Sequence, residues 1–213
     1  MKHYFLISLV VILIAATSCK SIVVNMAGLR MPKVEDKASI FKMLKRLHQD
    51  TNDVYTIDSL LFEKFRKERF KPNWANGFRP VQIRVYSHNG YPVMQWALCE
   101  GFLKDLKTFD SVPPRNNHGL NTSLKLQDDL SQYFTLSGKP ANIIAQQGFD
   151  YYIIVYFAAY FPKWSKESFR QVKNYLNKHR DLRIKVYKID VDVQKFWNVE
   201  LNAVNKVSIG GNK

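Results

Sequence analysis

From Tyr151 to Ala159 the chain reads Tyr-Tyr-Ile-Ile-Val-Tyr-Phe-Ala-Ala, apolar at every step. A strand built from it buries both faces, so the pattern predicts the middle of a sheet with helices on each side. After Ser165 the apolar spacing lengthens to Phe169, Val172 and Leu176, the stripe of a helix. Lys178, His179 and Arg180 then gather where a helix C-terminus favours positive charge. Ile184-Lys-Val-Tyr-Lys-Ile-Asp-Val-Asp192 supplies a further strand. Strand, helix and strand with short joints predict a right-handed crossover and two parallel strands.

Upstream, Asp36 can cap a helix with Ile40, Phe41, Leu44 and Leu47 on one side. Thr56 to about Lys67 predicts a second, with Ile57, Leu60, Leu61 and Phe65 in register, the two forming an N-terminal helical pair. Phe70 to Pro80 reads as a loop anchored by Trp74 and Phe78. Val81, Ile83 and Val85 alternate with Gln82, Arg84 and Tyr86, a strand with one face to solvent. Ser87-His88-Asn89-Gly90 has turn chemistry, and Met94, Trp96 and Leu98 alternate beyond it, which predicts a hairpin. Pro92 cannot donate to a ladder, so its strand belongs at an edge. A short helix around Gly101 to Leu106 and a further helix capped by Ser123, with Leu126, Leu130, Tyr133 and Phe134 as its stripe, lead back to the central strand.

The segment from Asp150 to Asp192 resembles the redox half of a thioredoxin. In that family the central strand ends in Phe-Trp-Ala-x-Trp, a Cys-x-x-Cys motif opens the helix, and the next strand ends in an Asn-x-Asp type sequence. Here Tyr156-Phe157-Ala158-Ala159-Tyr160 takes the strand end, and Phe161-Pro162-Lys163-Trp164 takes the place of the cysteines. Thiol–disulfide exchange needs an attacking thiolate and a resolving thiol, so this stretch lacks the family's reaction. No proline follows Pro162, so the family's cis-proline loop is missing as well. The resemblance implies an α/β, thioredoxin-like mixed sheet with flanking helices, its hairpin of Val81 to Leu98 drawn from the N-terminal side.

Met1-Lys2-His3, an apolar run from Tyr4 to Ala16 and the small residues Thr17 and Ser18 have the charged start, apolar centre and small-residue exit of a secretory signal. The run is too short for an ordinary spanning helix. Cys19 follows directly, and Ala16-Thr17-Ser18-Cys19 resembles the lipobox of bacterial lipoproteins. That resemblance implies cleavage between Ser18 and Cys19 and acylation of Cys19, including palmitate. Two or three acyl chains hold a protein stably on a bilayer. Lys20-Ser21-Ile22-Val23 lacks the retention Asp and the acidic export cluster of some lipoproteins. By resemblance this favours the periplasmic face of a Gram-negative outer membrane. A plain secretory signal with an incidental cysteine, or an uncleaved anchor, is the competing reading. The expected organisation is residues 1–18 as signal peptide, 19–35 as lipidated tether, 36–205 as one α/β domain and 206–213 as a flexible tail.

Composition refines the list of partners. Lys and Arg number 32 against 18 Asp and Glu, a net charge of +14. Cleavage after Ser18 would remove Lys2 alone among the charged residues. Behind a secretion signal, such a balance suits anionic lipid headgroups or acidic envelope glycans better than nucleic acid, and a solvated basic surface needs no ligand at all. With Cys19 assigned to lipid, Cys99 is left alone in an oxidising compartment, so an intrachain disulfide is not expected. Packing as a small hydrophobe is its expected state. A one-cysteine thiol reductase or peroxidase using Cys99 is the enzymatic alternative.

Other chemistry is sparse. Asp190-Val-Asp192 could suggest a metal-bound nucleotide-sugar site, but no glycine-rich phosphate loop accompanies it, and solvated or capping carboxylates are the simpler expectation. His3, His48, His88, His118 and His179 show no metal-ligand spacing. No Gly-x-Ser-x-Gly elbow occurs. Asp58-Ser59-Leu60 and Asp110-Ser111-Val112 resemble an O-glycosylation tripeptide that also arises by chance. No catalytic residue, cofactor or metal is expected. Phe161, Pro162, Lys163 and Trp164 form the candidate recognition surface, with packing of Phe161 and Trp164 on the N-terminal helices as the plainer alternative.

Overall fold

The computed structural model describes residues 30, 32–68, 81–97 and 123–198. The signal peptide, Cys19, most of the tether, Trp74, Phe78, Leu98, Cys99, the Gly101 to Leu106 helix, Asp110-Ser111-Val112, His118 and the tail lie outside the described residues. The described elements run β1 (Val34–Glu35), α1 (Lys37–Arg46), β2 (Val54–Thr56), α2 (Ser59–Glu68), β3 (Gln82–Ser87) and β4 (Pro92–Ala97). They continue α3 (Leu126–Leu130), β5 (Tyr151–Phe157), α4 (Pro162–Lys178), β6 (Ile184–Asp190) and β7 (Val193–Gln194), which runs into a 3-10 turn over Lys195–Trp197.

Five strands form one sheet in the order β2-β6-β5-β3-β4, with β5 at the centre. The apolar run on both of its faces demanded that position. β5 and β6 are parallel, with Tyr151 opposite Ile184 and Phe157 opposite Asp190, and α4 makes the crossover between them. β3 runs antiparallel to β5 on its other side, and β4 closes the hairpin at the edge, where Pro92, opposite Tyr86, leaves no N–H unpaired. The hairpin turn uses Gly90 at φ +78, a left-handed conformation that suits glycine.

The sheet separates two cores. On one face Ile83, Val85, Met94, Ile153, Val155 and Phe157 meet Ile40 and Leu44 of α1 and Phe169, Val172 and Tyr175 of α4. On the other, Tyr86, Tyr152, Ile154, Tyr156, Tyr187 and Ile189 lie under α3 and the chain after it, with Leu61, Phe62 and Trp197 at the margin. Gly138 belongs to this second cover. A Cβ there would stand 2.7 Å from the Phe196 ring, so the turn accepts only glycine at this approach.

Several expectations change. Val54–Thr56 is a parallel edge strand on β6 and not the start of a helix; α2 begins at Ser59, where the Asp58 carboxylate accepts the Leu61 N–H at 2.7 Å. The two N-terminal helices are therefore not a pair, because β2 intervenes and they serve opposite faces of the sheet. Leu60 is 77% exposed, off the stripe assigned to it. Ser123 does not cap α3, whose cap position is Lys125. Tyr133 and Phe134 lie past the end of that helix, and Phe134 bridges to Thr56 instead. The expected tether contributes Val34–Glu35, paired in parallel with Val193–Gln194. Asp36 does cap α1, accepting the Ser39 N–H at 2.9 Å while Ser39 accepts the Asp36 N–H at 2.9 Å. Among the described residues no helix is long and apolar enough to cross a membrane.

Candidate functional site

The C-terminal ends of parallel strands are where open α/β sheets bind ligands, because loops there leave a crevice above the sheet. In this chain that end is the turn from Phe157 into α4. Ser165, fully buried, fastens the turn: its hydroxyl accepts the Ala158 N–H at 3.0 Å and donates to the Ala158 carbonyl at 2.9 Å. Phe161 holds the cap position without a side-chain cap, and Pro162 begins the helix where its missing N–H costs nothing. Phe161 and Trp164 are half-buried, Trp164 against the core that contains Ile40 and Leu44. Lys163 is exposed, its Nζ 5.7 Å from the Trp164 ring centre. The four residues expected to form a surface thus share one turn, with the rings seated on the cores and the ammonium outermost.

Beneath that turn lie Asp190 and Asp192, whose expected state from sequence is solvated or capping. Both are buried, between the Ala159 turn and the start of β7. The Asp192 carboxylate accepts the Ala159 N–H at 2.6 Å, tying β6 to the turn. Gln194 donates its amide to Asp190 at 2.5 Å and to the Asp192 carbonyl at 2.9 Å. One oxygen of each carboxylate, Asp190 Oδ1 and Asp192 Oδ1, meets no protein donor. Burial, the adjacent Asp192 and the more distant Glu35 hold the Asp190 carboxyl well above the usual carboxylate range. Neutral Asp190 can then donate to Asp192 and supply the proton the pair lacks. Burial also lifts Asp192, to about 6, against the opposing pull of Asp190 and the Ala159 N–H.

That shift sets a pH dependence. Between the ordinary 3.8 and about 6 the folded chain holds a proton on Asp192 that the unfolded chain releases. Its contribution to stability is therefore present below pH 4 and lost as pH rises through 6, with a slope of at most about 1.4 kcal/mol per pH unit. Asp192→Asn removes this term. The stability difference between the two proteins, from urea unfolding at pH 4, 5, 6 and 7.5, is expected to move in favour of the variant as pH rises; a difference constant across that range refutes the assignment.

A second polar cluster leaves no signal in the linear pattern. Arg84, Tyr86, Tyr133 and Tyr156 converge on Asp129, all of them buried on the α3 side of the sheet. Arg84 Nη1 donates to both Asp129 oxygens, at 2.9 and 3.0 Å. The Tyr86 and Tyr133 hydroxyls donate at 2.6 and 2.7 Å, Tyr156 reaches Asp129 at 3.2 Å and touches the Tyr133 hydroxyl, and its ring lies 5.1 Å from the guanidinium. Burial disfavours the Arg84 cation, but Asp129 together with Tyr156, Tyr86 and Tyr133 outweighs it and keeps the guanidinium protonated. Burial and the same carboxylate raise the tyrosine pKa values, so their hydroxyls remain donors. Alternation had put Gln82, Arg84 and Tyr86 on a solvent face; the chain from Ser123 to Phe149 covers it. Regular alternation cannot distinguish a face met by water from one met by a buried counter-ion.

Among the described residues no group of three or more His, Cys, Asp or Glu side chains is gathered as a metal site requires. His48, His88 and His179 lie just past three different elements, α1, β3 and α4. The described architecture is a mixed α/β protein with a mixed five-stranded sheet and flanking helices. Comparison with protein-family models, curated proteins and solved structures gives no match to this chain.

Proposed function

We propose that this chain is a membrane-tethered bacterial lipoprotein whose domain is a thioredoxin-like scaffold used for binding instead of thiol chemistry. The observation that carries the reading is Phe161-Pro162-Lys163-Trp164 at the end of the central strand and the opening of the crossover helix. A thioredoxin has its two sulfurs there; this chain has two aromatic rings, a proline and a cation. Supporting it, β2, β6 and β5 run parallel and an antiparallel hairpin lies beyond β5. The hairpin comes from the chain before β5, whereas thioredoxins take theirs from the chain after the Asp-bearing strand. Half-buried aromatic rings beside an exposed lysine suit a protein partner, since such rings are effective interface anchors.

Anchoring rests on the lipobox-like Ala16-Thr17-Ser18-Cys19. Acyl chains on Cys19 would keep the domain at a membrane, in this reading the periplasmic face of the outer membrane, where the basic chain meets anionic lipid or envelope glycan. Both halves are tested in cells. Cys19→Ser is expected to abolish palmitate labelling and to leave an uncleaved precursor; unchanged labelling and processing defeat the anchor. A photo-crosslinker at Lys163 is expected to give a discrete adduct that the same group at exposed Arg180 does not. Equal patterns from the two positions defeat the surface. Cys99 that reacts with a thiol reagent at full rate in the folded protein would favour the one-cysteine enzyme instead.

A further inference from the structure

The outer edge of β6 is only half covered. β2 pairs with Lys188, Ile189 and Asp190 and stops there, because Asp53 takes φ +50 and turns the preceding chain away from the sheet. The direction of each backbone group on β6 follows from bonds at its two ends. The Lys188 N–H donates to the Asp53 carbonyl at 2.9 Å, toward β2, while the Val191 N–H donates to the Phe157 carbonyl at 3.0 Å, toward β5. Strand geometry alternates sides at each residue, so Ile184 and Val186 direct their N–H and C=O groups to the outer edge with Lys188. Among the described residues nothing pairs with those four groups.

Beside this edge is a cleft of about 350 Å³, walled by the chain from His48 to Asp53 and by α4. Its floor is apolar, formed by Val172, Leu176, Ile184 and Val186. Its rim carries Lys173 and Lys185 against Asp50 and Asp53, while Lys188 lies buried in its wall. Lys185 pairs with Asp53 and Lys188 with Asp50, each at 2.9 Å, whereas Lys173 is exposed and has no ion pair among the described residues. Open backbone donors and acceptors next to an apolar trough are the two requirements for strand addition, the first giving affinity and the second selecting side chains.

We propose that the open half of the β6 edge binds an extended acidic peptide segment of another protein as an added strand, its apolar side chains in the trough and a carboxylate at Lys173. Charge selects this occupant over a second copy, since a chain of net charge +14 repels itself and attracts acidic segments. Headgroups and glycans could meet the lysines, but only a peptide supplies alternating N–H and C=O groups. The site depends on neither the acyl anchor nor Phe161–Trp164, so it stands or falls apart from them.

The test uses the full chain in detergent with two blocked octapeptides, one alternating valine with glutamate and one alternating valine with lysine. In the protein alone, NMR-resolved amide exchange at Ile184 and Val186 is expected to be faster than at Lys185 and Tyr187, whose N–H groups face β5. The glutamate peptide is expected to slow exchange at Ile184 and Val186, and the lysine peptide to bind about tenfold more weakly or not at all. Val186→Pro removes one outward N–H where an edge strand tolerates proline, and is expected to weaken binding about tenfold. Lys173→Glu changes an exposed side chain and is expected to weaken it about threefold, so the site stays testable if the proline variant does not fold. Equal binding of both peptides, binding unchanged in either folded variant, or protection of Ile184 and Val186 without peptide overturns the proposal. Protection that grows with protein concentration alone would mean self-pairing and overturns it too.

Discussion

Asp129→Ala is expected to lower the unfolding free energy by about 3–5 kcal/mol, measured by urea titration at pH 7. The loss does not come from the carboxylate's own attraction alone. Removing it leaves the Arg84 guanidinium fully buried without a counter-charge, with Arg84 Nε already lacking a partner, and removes the acceptor for the hydroxyls of Tyr86 and Tyr133. Domains of this size retain roughly 5–15 kcal/mol, so the variant should be close to unfolding at 37 °C. The double change Arg84→Met with Asp129→Leu discriminates between causes. Replacing a buried pair by apolar groups of similar volume is often neutral or stabilising, so the double variant should recover most of the loss. A single variant that costs under about 1 kcal/mol would mean that water reaches Arg84 and that the cluster is not enclosed.

The second large effect belongs to the centre of the sheet. Phe157→Ala is expected to cost about 3–5 kcal/mol, the range for emptying a buried aromatic site. Phe157 is fully buried and its ring centre is 5.4 Å from that of Phe169, so the change removes a contact that seats α4 on the sheet. The same strand offers a control on its other face: Ile154→Ala, equally buried under the α3 side, should cost about 2–5 kcal/mol. Large losses at both positions require a strand covered on two sides. If either is as mild as a surface change, within about 0.5 kcal/mol, β5 is not central. Loosening of α4 should also broaden Trp164 fluorescence in Phe157→Ala more than in Ile154→Ala, because only Phe157 lies on the α4 face.

The elements with an unbroken pattern were legible in the chain. β5 lacks polar positions, α4 keeps Phe169, Val172 and Leu176 in step, and the hairpin has Ser87-His88-Asn89-Gly90 between alternating runs. Each signal is local, and the local preference agreed with the tertiary outcome. The short edge strand Val54–Thr56 was not legible, because three residues carry no period and its role comes from pairing with Lys188–Asp190. Leu60 looks like part of a helical stripe, but the helix starts at Ser59, three residues after Thr56, and packs Leu61 and Phe62 on the sheet, which leaves Leu60 in solvent.

The polar interior departs from the sequence pattern for one physical reason. Arg84, Asp129, Asp190 and Asp192 carry the composition of surface residues, and a linear pattern prices each of them alone. In the fold Arg84 and Asp129 cancel across 45 positions of sequence, burial and the adjacent Asp192 keep Asp190 neutral, and burial lifts Asp192. Neither compensation exists until distant segments meet.

By itself, the sequence determined the parallel strand-helix-strand unit, the edge place of Pro92 and the lack of sulfur at Phe161–Trp164, since these follow from residue type, period and neighbour spacing. Tertiary structure decided the order of the five strands, the burial of Arg84, Asp129, Lys188, Asp190 and Asp192, and the half-open β6 edge. Those features depend on which remote groups exclude water from one another, and that is a property of the packed chain.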